Sequence, residues 1–176
     1  DLTFSLTETE PWDTVEIVAA GRLDIGVVHS WGDVPLHVPD HLERTVVARD
    51  VADVVVREDH PLAGRDRVTP ADLVDEGWIA TPDGTICRQW LHRMYVGTGR
   101  SPRIAHESLE YASHLALVRA GLGIALVPRL GRGPIEPPLT TVLAADPVPT
   151  REVVAVHRRS MAASPALQAV LAALTD

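Results

Sequence analysis

Residues 108–128, S-L-E-Y-A-S-H-L-A-L-V-R-A-G-L-G-I-A-L-V-P, decide the fold. Leu109, Ala112, Leu115, Ala116 and Ala120 recur at helical spacing, which predicts an amphipathic helix that buries this face. Ser108 has the hydroxyl of an N-cap, able to accept a hydrogen bond from a first-turn amide. Gly121 stands where the helix should stop, at a position that favours positive φ. Residues 124–127 are then a short apolar run, the pattern of a strand covered on both faces, and Pro128 closes it. A helix, a glycine cap and a buried strand in this order make an αβ unit of a parallel sheet.

The chain repeats the pattern. Val15, Val18 and Ala19 lead to Gly21, followed by the apolar residues 23–28. Val18-Ala-Ala-Gly21 matches Val118-Arg-Ala-Gly121, each ahead of a buried strand, and two such units this far apart suggest two lobes.

Working outward, Leu2, Phe4 and Leu6 alternate with polar residues and predict an opening strand. A helix follows from about Pro11, burying Trp12, Val15, Val18 and Ala19, then a strand over 23–28 that ends at His29-Ser30. Residues 45–56 carry two apolar runs split by Arg49-Asp50, and Pro61 marks a turn over 59–63. Thr69-Pro70 opens a short helix, residues 78–81 form a strand, and residues 85–95 form a helix burying Ile86, Trp90, Leu91 and Met94. Strands are expected over 103–107, 139–143 and 152–157. A terminal helix from Ser164 carries Leu167, Val170, Leu171 and Leu174 on one face.

Three motifs in order, Ala20-Gly-Arg-Leu-Asp-Ile-Gly26, Asp59-His-Pro-Leu-Ala63 and Val118-Arg-Ala-Gly-Leu-Gly-Ile-Ala-Leu-Val-Pro128, make the chain resemble the effector-binding domain of LysR-type transcriptional regulators. The resemblance covers nearly the whole chain. It implies an α/β architecture of two Rossmann-like lobes hinged by two crossovers, similar to type 2 periplasmic binding proteins, with a small-molecule effector in the interlobe cleft. Lobe I would comprise residues 1–50 and 151–176, lobe II residues 51–150. By the resemblance, a complete lobe I begins with another strand and a long helix ahead of Asp1. A winged helix-turn-helix comes before these, and DNA would be contacted only through that N-terminal domain.

The chain has 176 residues, 45% of them hydrophobic, enough for one ordinary domain or two small lobes. No run approaches a membrane span and no secretion signal opens the chain, so a cytoplasmic protein without membrane contact is expected. A net charge of −8 argues against this segment gripping nucleic acid by itself. All 16 cationic residues are Arg, and Asn is absent with Lys, which points to a GC-rich coding sequence. The single cysteine, Cys87, excludes an internal disulfide framework and suits a reducing compartment.

Open α/β sheets bind ligands at the carboxyl ends of strands, which singles out residues 7–11, His29-Ser30, residues 81–87 and Glu107-Ser108. The strand-to-helix turn from Thr81 to Cys87 is the best of these. First-turn amides near Thr85 and Ile86 could face an anion with the helix dipole behind them. By resemblance, Thr85, Ile86 and Cys87 fall where relatives contact an effector carboxylate; equally, Thr85 could serve only as a helix cap. His29 ends its strand where some relatives carry a cation, and either binds a carboxylate or is a surface-loop histidine. Near Pro11 the family often has a Ser or Thr ligand, for which Thr7 or Thr9 would substitute. The peroxide-sensing branch of the family has its reactive cysteine in the region of Cys87, but resolves it with a second cysteine that this chain lacks; the alternative is a buried structural thiol.

An enzyme is not expected. No G-x-S-x-G, P-loop or H-E-x-x-H occurs, and Gly121-x-Gly123 lacks the rest of a dinucleotide fingerprint. Pro39 separates His37 from His41, so no metal site is expected, and no cofactor. Asp24 reads as a turn or strand-edge residue, and Arg65, Arg67, Arg129, Arg132, Arg158 and Arg159 as solvated charge. The expectation is a LysR-type sensing domain that binds a small carboxylate-bearing metabolite and works as a homodimer or homotetramer. The alternative is a two-lobed periplasmic-type solute-binding protein.

Overall fold

The computed structural model describes residues 3–175. In chain order these form α1 (Pro11–Ala19), β1 (Ile25–Trp31), β2 (Leu42–Arg57), β3 (Arg67–Val68), β4 (Gly77–Ala80), α2 (Ile86–Met94), β5 (Arg103–Glu107), α3 (Tyr111–Arg119), β6 (Ile124–Pro128), β7 (Leu139–Ala144), β8 (Thr150–Arg158) and α4 (Pro165–Thr175). Two compact units result. Unit 1 takes the chain up to Arg49 and from Arg151 onward; unit 2 is Asp50–Thr150.

In unit 1, β1 and β8 pair antiparallel, from Ile25 opposite His157 to Trp31 opposite Arg151. Successive side chains of a strand face opposite ways, and the two faces of β8 are used accordingly. Val154 and Val156 join Val15, Val18, Val28 and Leu42 in a core under α1, while Ala155 meets Leu167 and Leu171 of α4. Gly26 lets α1 lie close, since a Cβ there would stand 2.6 Å from the Thr14 methyl group.

In unit 2 the strand order is β2-β6-β4-β5, with β7 on the other side of β2 and β3 beside β7. β4 is parallel to both β5 and β6, whereas β2 is antiparallel to β6 and β7. Val55, Ile79, Val118, Ala125, Val127 and Leu139 form the core under α3. All four residues of β4 are buried. Trp78 Nε1 donates to the Tyr95 hydroxyl (2.7 Å), which donates to the Leu73 carbonyl (2.9 Å), so both of these buried side-chain groups are satisfied.

The repeated motif recurs in three dimensions. Gly21 (φ 75°) and Gly121 (φ 76°) both end their helices in the left-handed region. Their amides donate to the Val18 and Val118 carbonyls, and the next residues, Arg22 and Leu122, donate to Ile17 and Leu117. In each unit an arginine at the end of a strand also binds the helix terminus. Arg158 Nη1 donates to the Val18 and Leu23 carbonyls (2.8 Å each), and Arg57 Nη1 to that of Arg119 (3.0 Å). Gly123 serves a different purpose: at φ 150°, a Cβ there would stand 2.4 Å from the Gly77 carbonyl oxygen.

Several expectations are corrected. Helix α3 starts at Tyr111 rather than after Ser108, and its buried residues are His114 and Val118. Leu109, Ala112, Ala116 and Ala120 are exposed, because the helix turns its bulkier side, with Tyr111 and Leu115 half-buried, onto the core. Residues 3–10 form no strand, and Phe4 and Leu6 are exposed. Alternation makes a strand only where a neighbour takes its backbone hydrogen bonds, and this stretch has no ladder partner among the described residues; Leu2 lies outside them. Trp12 and Ala19 are only half-buried, Pro11 and Thr14 being enclosed instead. Residues 45–56 belong to one continuous strand, β2, because Arg49 and Asp50 stay extended within it.

Arg132 is largely buried rather than solvated, and Arg129, though half-exposed, is held in an ion pair. Both bind the buried Asp53 carboxylate, Arg129 through Nε (2.9 Å) and Nη2 (2.7 Å) and Arg132 through Nη2 (2.6 Å). Burial alone would raise the Asp53 pKa, but the two guanidinium groups outweigh it and hold the carboxyl below its usual range. Beside it, Asp50 accepts from the amides of Val51 and Leu130, closing the end of β6 against β2. Arg158 is likewise committed to α1, and Arg65 pairs with Asp72 (2.6 Å).

Two predictions concern stability. Gly123→Ala should destabilise the chain by about 2–4 kcal/mol, because the clash is with backbone and the φ is unfavourable. Gly64→Ala, where an added Cβ meets nothing within 4 Å, should be neutral or slightly stabilising. Urea unfolding of both variants compares them directly. Asp53→Asn should cost about 3 kcal/mol, since it leaves two guanidinium groups without their anion; an unchanged urea midpoint would show that water replaces the carboxylate.

Candidate functional site

Strands β4 and β5 end side by side, with Ala80 opposite Glu107. From β4 the chain turns through Thr81-Pro-Asp-Gly84, with Gly84 at φ 86°, and enters α2 with Thr85 at the N-cap. Thr85 Oγ1 donates to the Pro82 carbonyl (2.9 Å) and accepts from the Arg88 amide (3.2 Å). It also lies 2.7 Å from Thr81 Oγ1. A hydroxyl has one proton and two lone pairs, so Thr81 must be the donor in that pair, and the bonding capacity of Thr85 is spent inside the protein. Thr85 therefore shapes the turn, and its hydroxyl has no capacity left for a further bond. Ile86 is fully buried, anchoring the helix start in the core.

Arg88 is the residue that sequence reading missed. In the first turn of α2 its side chain points back toward the helix N-terminus, as helical side chains do. Only 8% of the side chain is exposed. Its Nη1 donates to the Thr81 carbonyl (2.8 Å) and its Nη2 to Glu107 Oε1 (2.6 Å), joining the ends of β4 and β5. Its Nε is buried without a hydrogen-bond partner. A permanent positive charge thus lies under a helix N-terminus that carries partial positive charge of its own, an arrangement that favours an anion. The signal in the sequence was an arginine three residues after an N-cap threonine.

The surroundings of Cys87 also come from α3. Cys87 is half-buried, and its Sγ accepts from the Tyr111 hydroxyl at 3.3 Å. His114 lies edge-on to Tyr111 (5.3 Å), and its Nε2 is 2.8 Å from the Ser108 carbonyl, so that nitrogen carries the proton. Burial lowers the His114 pKa, against a smaller opposing effect of that carbonyl, and the ring is neutral.

Unit 1 holds the other three expected residues. Thr7 is exposed, and Thr9 Oγ1 lies 2.6 Å from the hydroxyl of Thr14, which is nearly enclosed. His29 does not end its strand, because the β1–β8 ladder continues to Trp31; it lies opposite Val153 with its ring edge-on to Trp31 at 6.4 Å. Burial, and secondarily the charge of Arg151, push the His29 pKa down to about 4. The imidazole is neutral at pH 7 and offers hydrogen bonds, not the cationic charge that sequence reading allowed. Thr81, Thr85, Ile86, Cys87 and Glu107 thus gather in unit 2, and Thr7, Thr9 and His29 belong to unit 1. Among the described residues no group of three or more His, Cys, Asp or Glu side chains is arranged to hold a metal ion, and no helix is long and apolar enough to cross a membrane.

This is a mixed α/β domain of the periplasmic-binding-protein-like kind. The effector binding domain of QuiR in complex with shikimate superposes with a TM-score of 0.77 at 20% identity, covering 99% of this chain and 81% of that one. The Synechocystis PCC6803 CcmR regulatory domain in complex with 2-PG gives 0.78 at 19% identity, covering 97% and 81%. The family model of the LysR substrate binding domain matches residues 1–176, and the chain belongs to that family. The small neutral protease regulatory protein of Streptomyces coelicolor is 33% identical over 164 residues, 90% of this chain and 46% of that protein. The chain thus spans less than half the length of that curated relative.

The histidines predict a pH response. A histidine that is neutral when folded and ordinary when unfolded takes up its proton preferentially in the unfolded state. Its stabilising effect is complete above pH 6.5, the unfolded value, and is lost as the pH falls toward about 4. His29→Gln should remove part of the stability lost over that range, on the order of 2 kcal/mol. Urea midpoints at pH 7 and pH 4.5 for both proteins check this; parallel losses would show that His29 titrates normally.

Proposed function

We propose that the chain is the effector-sensing domain of a LysR-type transcriptional regulator and is not an enzyme. The effector is a small carboxylate-bearing metabolite held in the interlobe cleft expected of such domains. In this reading unit 1 is lobe I and unit 2 is lobe II. The observation that carries the proposal is Arg88, a buried permanent cation beneath the N-terminus of α2, next to the only half-exposed carboxylate of Glu107. The start of α2, with Thr81, Thr85, Ile86 and Cys87 and the Thr81–Thr85 hydroxyl pair that shapes it, would receive the effector's carboxylate. His29, as a neutral hydrogen-bonding group, and Thr7 or Thr9 would contact its other end. Shikimate, bound by a protein of the same fold, is itself a carboxylate.

Effector binding would act on a homodimeric or homotetrameric regulator in the cytoplasm, with DNA contacted by a separate N-terminal domain. A ligand moves such an equilibrium only by its differential affinity for the two states.

The test is thermal unfolding of the chain with a panel of small carboxylates that includes shikimate. A true effector at a hundred times its Kd should add about 2.7 kcal/mol. Thr85→Ala should cost about 1 kcal/mol as a lost cap and also shrink the ligand-induced rise in Tm. Stabilisation by neutral solutes alone, or an equal rise in both proteins, would overturn the proposed site.

A further inference from the structure

We infer that Glu107 is a resident anion, which an effector carboxylate must displace from Arg88. The inference deepens the effector-site reading and rests on it. It starts from an asymmetry, since the Arg88 side chain is 8% exposed and that of Glu107 49%. A buried guanidinium cannot shed its charge and requires an anion, whereas a half-exposed carboxylate can return to water at little cost. Glu107 stands at the end of β5, last in the strand order of unit 2, so among the described residues no strand beyond it limits its movement.

The second observation is how the guanidinium is used. Nε and Nη2 form one edge of the group, a two-pronged donor that matches the two oxygens of a carboxylate. At two other arginines of unit 2 this edge is fully occupied. Arg57 gives Nε and Nη2 to the two oxygens of Asp59 at 2.8 and 2.7 Å, and Arg129 gives both to Asp53 at 2.9 and 2.7 Å. At Arg88 only Nη2 is engaged, by Glu107 Oε1, and Nε is buried without an acceptor. Glu107 therefore satisfies the edge by half. A carboxylate arriving at the start of α2 can take both N–H groups as Glu107 swings out, leaving no buried donor unpaired. The exchange makes the site selective for anions that present two oxygens side by side, and competition from Glu107 lowers their affinity.

Inorganic sulfate, which presents paired oxygens, is the probe, with chloride at equal ionic strength as the control. NMR would follow the Ile86, Cys87 and Arg88 amides and the Arg88 Nε–H of the intact chain. Sulfate should shift all four signals in the parent protein. In Glu107→Gln the same shifts should occur at about fivefold lower sulfate, the competing charge being gone. Glu107→Asp, with a shorter reach, should fall between, and Arg88→Gln combined with Glu107→Gln should not respond. Equal midpoints in the parent and Glu107→Gln would overturn the exchange while leaving the effector site standing. No shift in either protein would remove both.

Discussion

Each unit is closed by the same local arrangement, a helix that ends on a left-handed glycine with an arginine bound to its terminus. A helix leaves its last carbonyls unpaired, and burying that end against a sheet is costly unless they find donors. Gly21 and Gly121 let the backbone reverse and return its own amides. Arg158 and Arg57 supply further donors from the ends of β8 and β2, with a cation at the negative end of the helix dipole. With the termini satisfied, α1 and α3 can lie flat on their sheets. The strands that follow, β1 and β6, then start at a defined place.

Unit 2 treats its buried charges in two ways. Asp53 is almost wholly enclosed, and each of its oxygens is engaged by the guanidinium groups of Arg129 and Arg132. Such a pairing has little reason to open and ties β2 to the segment after β6. Arg88 is enclosed almost as fully, but its counter-ion is half in solvent and one of its N–H groups has no partner. Incomplete pairing of a buried charge is costly, and natural proteins tolerate it chiefly at functional sites. The difference separates a charge whose pairing is complete from one whose pairing is not.

The hydroxyl pair above Arg88 adds to this division of labour. Thr81 and Thr85 use their hydrogen bonds on each other and on the turn, so the turn is rigid before any ligand arrives. In the proposed function, a preformed turn and a fixed cation would bind an anion without the entropic cost of ordering a loop. Within unit 2, the positive charge of Arg88 and the N-terminus of α2 lie together.

Much of this was legible in the sequence, for local reasons. Gly21 and Gly121 announce helix ends, residues 124–127 announce a covered strand, and Thr85 announces a cap, because each is a property of a few consecutive residues. The family motifs extended the reading to a periplasmic-binding-protein-like fold. Other features depended on neighbours distant in the chain. Residues 3–10 have the alternation of a strand but no ladder, since pairing requires a partner that alternation cannot supply. The exposed alanines of α3 kept the helical period but not the buried side, which the shape of the opposing sheet selects. Asp53 met Arg129 and Arg132, and Arg88 met Glu107, across 76, 79 and 19 positions of chain. A charge in a sequence is solvated by default, and only tertiary packing removes the water and decides which charges must find each other.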